Sequence, residues 1–366
     1  MTHSAILAAI APASSPGLLE SGRIWFYGAF VLLVCFFLAL DLGVFNRTSH
    51  AVSVKEAVAW TSVWVSTALL FAVAVYFIYQ NHWLDFGRGV TVAIGEKPRD
   101  IGGAEATGLY LVCWMLEYAL SLDNIFVIAV IFRYFGVPRQ HQHRVLFWGI
   151  LGALVLRGVM IGVGVAIVRE FHWVIYILGG FLVYTGIKMF GHNDEEVHPE
   201  KNPVVRLARR FFPVSDRLDG EKFFTVLDGR RVMTPLFLVL IVVETTDVVF
   251  AVDSIPAAFG VTQDPFIIFT SNIFAILGLR SLYFALAAFI GKFEKLKVSL
   301  AFILVFIGVK MLVPLLGTII PAMEGYHVPN AVSLGTIAGA LIVGVVWSLV
   351  SGGKKDDDAP TEPSSL

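Results

Sequence analysis

Six carboxylates stand where apolar side chains belong. Asp41, Glu117, Asp123, Glu244, Asp247 and Asp253 each lie inside a predominantly hydrophobic run, as do Arg157, Lys188, Arg280 and Lys310. An ionisable group at the centre of a bilayer costs roughly 3 kcal/mol on insertion scales, and such groups face a bundle interior and pair with one another or with a ligand. Six negatives against four positives leave two charges, which one divalent cation or two protons would complete. The neutral neighbours Ser121, Asn124, Thr245, Thr246, Ser254 and Asn272 supply further oxygens. Oxygen ligands suit hard cations such as Mn2+, Mg2+ or Ca2+ over Zn2+ or Cu+. No His occupies a span centre, and no resident cofactor is expected.

These residues recur in order. Glu117 and Asp123 are followed by Arg157 and by Gly186-Ile187-Lys188-Met189; Asp247 and Asp253 are followed by Arg280 and by Gly308-Val309-Lys310-Met311. The spacing between the two acids is the same in both blocks. At about 100° per residue, Glu117 and Asn124 share one helix face, as do Asp247 and Ser254, while Asp123 and Asp253 lie about 120° away. A straight helix cannot aim both acids of a pair at one small site. Pro256 favours a kink or break after Asp253, whereas in the first block one acid can pair with Arg157 while the other takes the ion. Arg157, Arg280, Lys188 and Lys310 read as structural counter-charges, and the two lysines lie near span ends, where their stems can snorkel. Asp41, near the end of its span, reads equally well as solvated or functional. His141 and His143 read as ordinary loop residues.

The elements that carry these groups are membrane spans. Of 366 residues, 57% are hydrophobic and 15% charged, against about 25% charged in soluble domains; the mean hydropathy is +0.77. The net charge of −1 gives no sign of a nucleic-acid partner, and the lone cysteines Cys35 and Cys113 form no disulfide framework. Nine stretches are long enough to cross a bilayer: roughly 24–45, 57–80, 108–131, 146–168, 172–190, 233–256, 266–290, 297–317 and 331–350. Eighteen of the 27 Lys and Arg fall in the loops after spans 1, 3, 5 and 7 and in the C-terminal tail. The positive-inside rule then puts the C-terminus in the cytoplasm and the N-terminus outside.

The expected organisation is all-helical: a tail over 1–23, two spans and an external loop over 24–107, a three-helix repeat over 108–190, a basic cytoplasmic loop over 191–232, a second repeat over 233–317, a loop and last span over 318–350, and a solvated tail over 351–366. The two repeats enter the membrane from opposite sides. Inverted repeats of this kind build many secondary transporters, with the ion site at their interface.

The stretches Glu117-Tyr-Ala-Leu-Ser-Leu-Asp123-Asn124-Ile-Phe-Val and Glu244-Thr-Thr-Asp247-Val-Val-Phe-Ala-Val-Asp253-Ser-Ile-Pro256-Ala resemble the two signatures of the TerC family. Leu40-Asp41-Leu42 and Gly278-Leu279-Arg280 fit the same pattern, and the long loop looks most like the Alx branch. The resemblance implies a bacterial cytoplasmic-membrane protein of manganese homeostasis, exporting Mn2+, with Glu117, Asp123, Asn124, Glu244, Asp247 and Asp253 along the ion path. Protons are a plausible coupling ion, since no phosphate-cradling loop for ATP is present. A membrane scaffold for metallating secreted enzymes and an exporter of small organic cations or amino acids are the competing expectations. No nucleophile–base or metalloprotease motif suggests an enzyme.

Overall fold

The computed structural model describes residues 16–43, 53–92, 97–191, 205–207, 210, 213–215, 217–227, 229–286, 296–319 and 328–351. Ten α-helices can be delimited among the described residues: α1 (Pro16–Gly43), α2 (Val54–Gln80), α3 (Gly103–Tyr134), α4 (Arg139–Glu170), α5 (Val174–Gly191), α6 (Pro235–Val261), α7 (Pro265–Leu277), α8 (Leu279–Leu286), α9 (Leu296–Ile319) and α10 (Asn330–Ser351). The long helices are apolar on all sides rather than along one stripe, as helices surrounded by lipid and by other helices must be, whereas the short α8 is amphipathic. Each of the nine expected stretches overlaps a helix, the seventh overlapping both α7 and α8. Among the described residues, seven helices are long and apolar enough to cross a membrane, or eight when α7 and α8 are taken as one span bent by 43°. The expected nine is therefore not reached on these criteria, because α5 is a shorter apolar helix. The helix α1 already begins at Pro16, inside the stretch expected to be a tail. Most of the tail at 1–15, residues 192–204 and the end from 352 lie outside the described residues.

The broken span is also not the expected one. Pro256 sits inside a continuous α6, whereas the chain bends at Gly278 between α7 and α8. A missing N–H near a helix end forfeits one ladder bond; Gly278, with no Cβ and a weak helix preference, lies against Trp64 and Tyr118 and is the easier place to turn.

Beyond the helices, β1 (Phe224–Leu227) and β2 (Arg230–Met233) form an antiparallel hairpin within the basic loop, with Val226 opposite Arg231. Gly229 turns it at φ +76°, as an Asp-Gly pair between strands favours.

The three helices of one block lie antiparallel against their counterparts in the other. Near the start of α3, Val112 shares a cavity with Val261 at the end of α6, whereas Asn124 further along α3 reaches back to Asp247. Along α4 and α7, Arg157 meets Asn272 and Gly158 meets Phe269. Between α5 and α9, glycines bring the helices close, with Val183, Val305 and Met311 packed beside them. A Cβ on Gly308 would stand 2.6 Å from the Gly179 carbonyl and 2.8 Å from the Val183 amide nitrogen; one on Gly186 would stand 2.8 Å from the Ala301 carbonyl and 3.0 Å from the Val305 amide nitrogen. Gly186 and Gly308 hold the same place in the two blocks, and so do Val183 and Val305.

Candidate functional site

The buried ion pairs sit where α3, α4, α6 and α7 meet. Two turns of α3 separate Glu117 from Asn124 and place both on one face, which is buried. Asn124 Nδ2 donates to Asp247 Oδ1 on α6 at 2.8 Å. Arg157 of α4 grips the same carboxylate with a fork, Nε to Oδ2 at 3.1 Å and Nη2 to Oδ1 at 2.8 Å. Its Nη1 pairs with Glu117 and donates to Asn272 Oδ1 of α7 at 3.4 Å. Glu117 is 1% exposed and Arg157 2%. Bidentate, charge-assisted bonds of this kind are the strong ones, and their geometry is fixed by the planar guanidinium.

Arg157 thus joins Glu117 and Asp247, the first acid of each block. Four buried oxygens on α3 and α6, Glu117 Oε2, Asn124 Oδ1, Ser121 Oγ and Glu244 Oε2, make no hydrogen bond among the described residues. A cavity of about 30 Å3 adjoins the cluster, lined by Asn124, Leu146, Val243, Asp247 and Arg280. That volume holds about one water or one stripped ion. Beyond it, Tyr283 donates to Gln142 Oε1 at 3.0 Å.

Not every expected residue joins the cluster. Glu244, one turn before Asp247, packs its carboxylate against Gly152 of α4, where any side chain would overlap it. Asp123 and Asp253 are half-buried on other faces of their helices; Asp253 meets Thr185 of α5. Because α6 is unbroken, its two acids stay apart as the helical geometry requires. Among the described residues, no three His, Cys, Asp or Glu come together as a metal cluster of their own. Asp41 lies near the end of α1, and its side chain falls outside the described residues. Lys188 is exposed, in keeping with snorkelling. Lys310 is not: it is buried and lines a cavity of about 300 Å3 between α3, α9 and α10, because the close α5–α9 packing holds its helix inside the bundle. His141 lies in the first turn of α4.

Sequence reasoning missed Asp264. Its Oδ1 caps α7 by accepting from the Phe266 and Ile267 amides at 2.9 and 3.2 Å, and its Oδ2 accepts from Tyr79 at 2.8 Å. The signal was present, since Asp-Pro before an apolar run marks an N-cap followed by proline at the first helical position. Burial pushes this carboxyl above the usual range, against the pull of the Tyr79 and amide hydrogen bonds.

Comparison with known proteins agrees with this architecture. The "Integral membrane protein TerC family" matches residues 103–356. A membrane protein of Myxococcus xanthus, STKORF319, is 46% identical over 95% of both chains. The membrane-bound proteins called Alx in Escherichia coli (strain K12) and Shigella flexneri are 44% identical over 87% of this chain and 92% of their own. No solved structure matches. The paired acidic signatures, the multi-pass helical bundle and these similarities together place the chain in the TerC family of integral membrane proteins.

Proposed function

We propose that this protein is a secondary transporter that exports a hard divalent cation, Mn2+ first among them, across the bacterial cytoplasmic membrane, with its N-terminus outside and its C-terminus in the cytoplasm. The observation that carries the reading is Arg157 bonded to both Glu117 and Asp247 inside the bilayer-spanning bundle. A guanidinium there is a tethered cation. A dehydrated Mn2+ reaching these carboxylates takes over its role, aided by Asn124 and by the unbonded Glu244 oxygen one turn away. Arg157 must then release at least one acid, so loading is coupled to movement between α4 and α6. Asp123, Asp253 and Asp41 line the approach on this reading, while Arg280, Lys188 and Lys310 balance charge. The antiparallel packing of like helices supports two inverted repeats that rock about the site. Protons are the proposed coupling ion, exchanged on the same carboxylates.

The name of the Alx relatives describes a redox modulator. Here Cys35 is exposed on α1 and Cys113 is buried on α3, whereas the carboxylates meet at one buried arginine, and the cation reading is preferred. A scaffold that metallates secreted enzymes would need partner proteins. Purified protein in liposomes separates the readings: Mn2+ efflux that follows an imposed pH gradient supports the transporter, and absence of flux with and without the gradient rejects it.

A further inference from the structure

A cleft of about 510 Å3 opens at the end of the bundle where α1 and α7 begin and α4 and α6 finish. On the orientation expected from the loop charges, this is the outer face. Its lining includes Arg23, Arg88, Arg169, His172, Tyr27 and Asp264.

The acids of the cleft are already engaged. Both oxygens of Asp264 are taken by Tyr79 and the first amides of α7. Asp85 pairs with Arg88 at 2.8 Å. Two arginines, by contrast, keep their charge. Arg23 donates Nε and Nη2 to the Leu84 and Asp85 carbonyls at 2.9 and 2.8 Å, which orients the guanidinium without neutralising it. Its flat face lies 5.4 Å from the centre of the Phe86 ring. Arg169, exposed in the last turn of α4, has no carboxylate partner among the described residues. Both arginines and Tyr27 line the same cleft.

The cleft therefore sets three arginines against two acids, with both oxygens of Asp264 and one of Asp85 already bonded. Guanidinium groups match the paired oxygens of phosphate and carboxylate, and charge held in a cleft is less screened than on an open surface. We infer that this cleft binds an oxyanion, a phosphate or carboxylate group carried by a free anion or by a lipid headgroup, with Arg169 and Tyr27 as its principal contacts and Arg23 behind them. The inference goes beyond the cation reading and does not depend on it.

The test uses the full chain in phosphatidylcholine nanodiscs, with thermal unfolding followed at constant ionic strength. Inorganic phosphate replacing chloride is expected to raise the melting temperature saturably. Arg169→Ala should weaken half-saturation about tenfold, the loss of one charge-assisted contact. Tyr27→Phe, which keeps the ring and its packing, should weaken it less. A rise given by phosphatidic acid in the disc and not by free phosphate, and lost in Arg169→Ala, assigns the same site to a lipid headgroup. No rise from either source, or a rise identical in the wild type and both variants, overturns the proposal.

Discussion

Arg157 of α4 and Asp247 of α6 are joined by two hydrogen bonds, at 3.1 and 2.8 Å, with Glu117 of α3 held by the same guanidinium. The arrangement is asymmetric in a useful way. Two buried acids share one guanidinium, and a second, Arg280, lines the small cavity beside them. The cluster's stability and its proposed activity rest on the same three side chains.

Removing the guanidinium leaves two carboxylates facing each other away from water. Arg157→Ala is expected to destabilise the protein by about 3–5 kcal/mol, the usual cost of breaking a buried pair. Asp247→Asn added to it should recover part of the loss. Thermal unfolding of the detergent-solubilised single and double variants measures both, and an unchanged melting point for the single variant would contradict the ion pair.

The acids outside the cluster test the path. Asp123→Asn and Asp253→Asn are expected to abolish Mn2+ export while membrane insertion is preserved. Cellular manganese should rise in strains that rely on either variant. Normal manganese in those cells, with the protein present in the membrane, removes these residues from the path.

At Gly179, Gly186 and Gly308 the α5–α9 contact leaves no room for a Cβ. Gly308→Ala would place a Cβ 2.6 Å from the Gly179 carbonyl, and overpacking of this kind costs about 1–3 kcal/mol or more. Gly180→Ala, with nothing within 4 Å of the added carbon, should instead stabilise α5 by about 0.5–1 kcal/mol through its helix preference. Opposite shifts in melting temperature are expected, and equal shifts would contradict the packing.

Asp264 gives a pH signature. Its folded pKa is raised by burial, so the folded state binds its proton more readily than the unfolded chain does. Its contribution to stability is therefore greatest at low pH and is lost as pH rises through the raised value. Asp264→Asn keeps an oxygen for the α7 amides and removes the ionisation. The variant should melt with less dependence on pH than the wild type between acidic and neutral buffer. Parallel melting curves across pH for the two proteins would show that this carboxyl does not carry the effect.

Much of this was legible before any coordinates. Long apolar runs can do little in lipid other than form helices, and the twofold recurrence of acids, Arg and Gly-x-Lys-Met pointed to the helices that meet. Which side chains meet was not legible. Spacing along α3 puts Glu117 and Asn124 on one face, but only packing decides that the face turns toward Asp247 of the other block, so Arg157 was expected to serve one acid of its own block and holds one from each. The break at Gly278 was missed because Pro256 is the stronger local signal, whereas the packing of Gly278 against Trp64 and Tyr118 leaves no mark in the sequence. The hairpin was readable in Val226-Leu227-Asp228-Gly229-Arg230, and the Asp264 cap in its proline; neither lies in a span, where the charged residues drew attention.

The close seam between α5 and α9 also constrains how the molecule can work. Side-chain layers let neighbouring helices roll by exchanging rotamers; where glycines bring two backbones close, that freedom shrinks. On the transporter reading α5 and α9 would move as one unit, and the swing of the arginine on leaving Asp247 would be taken up by α3, α4, α6 and α7.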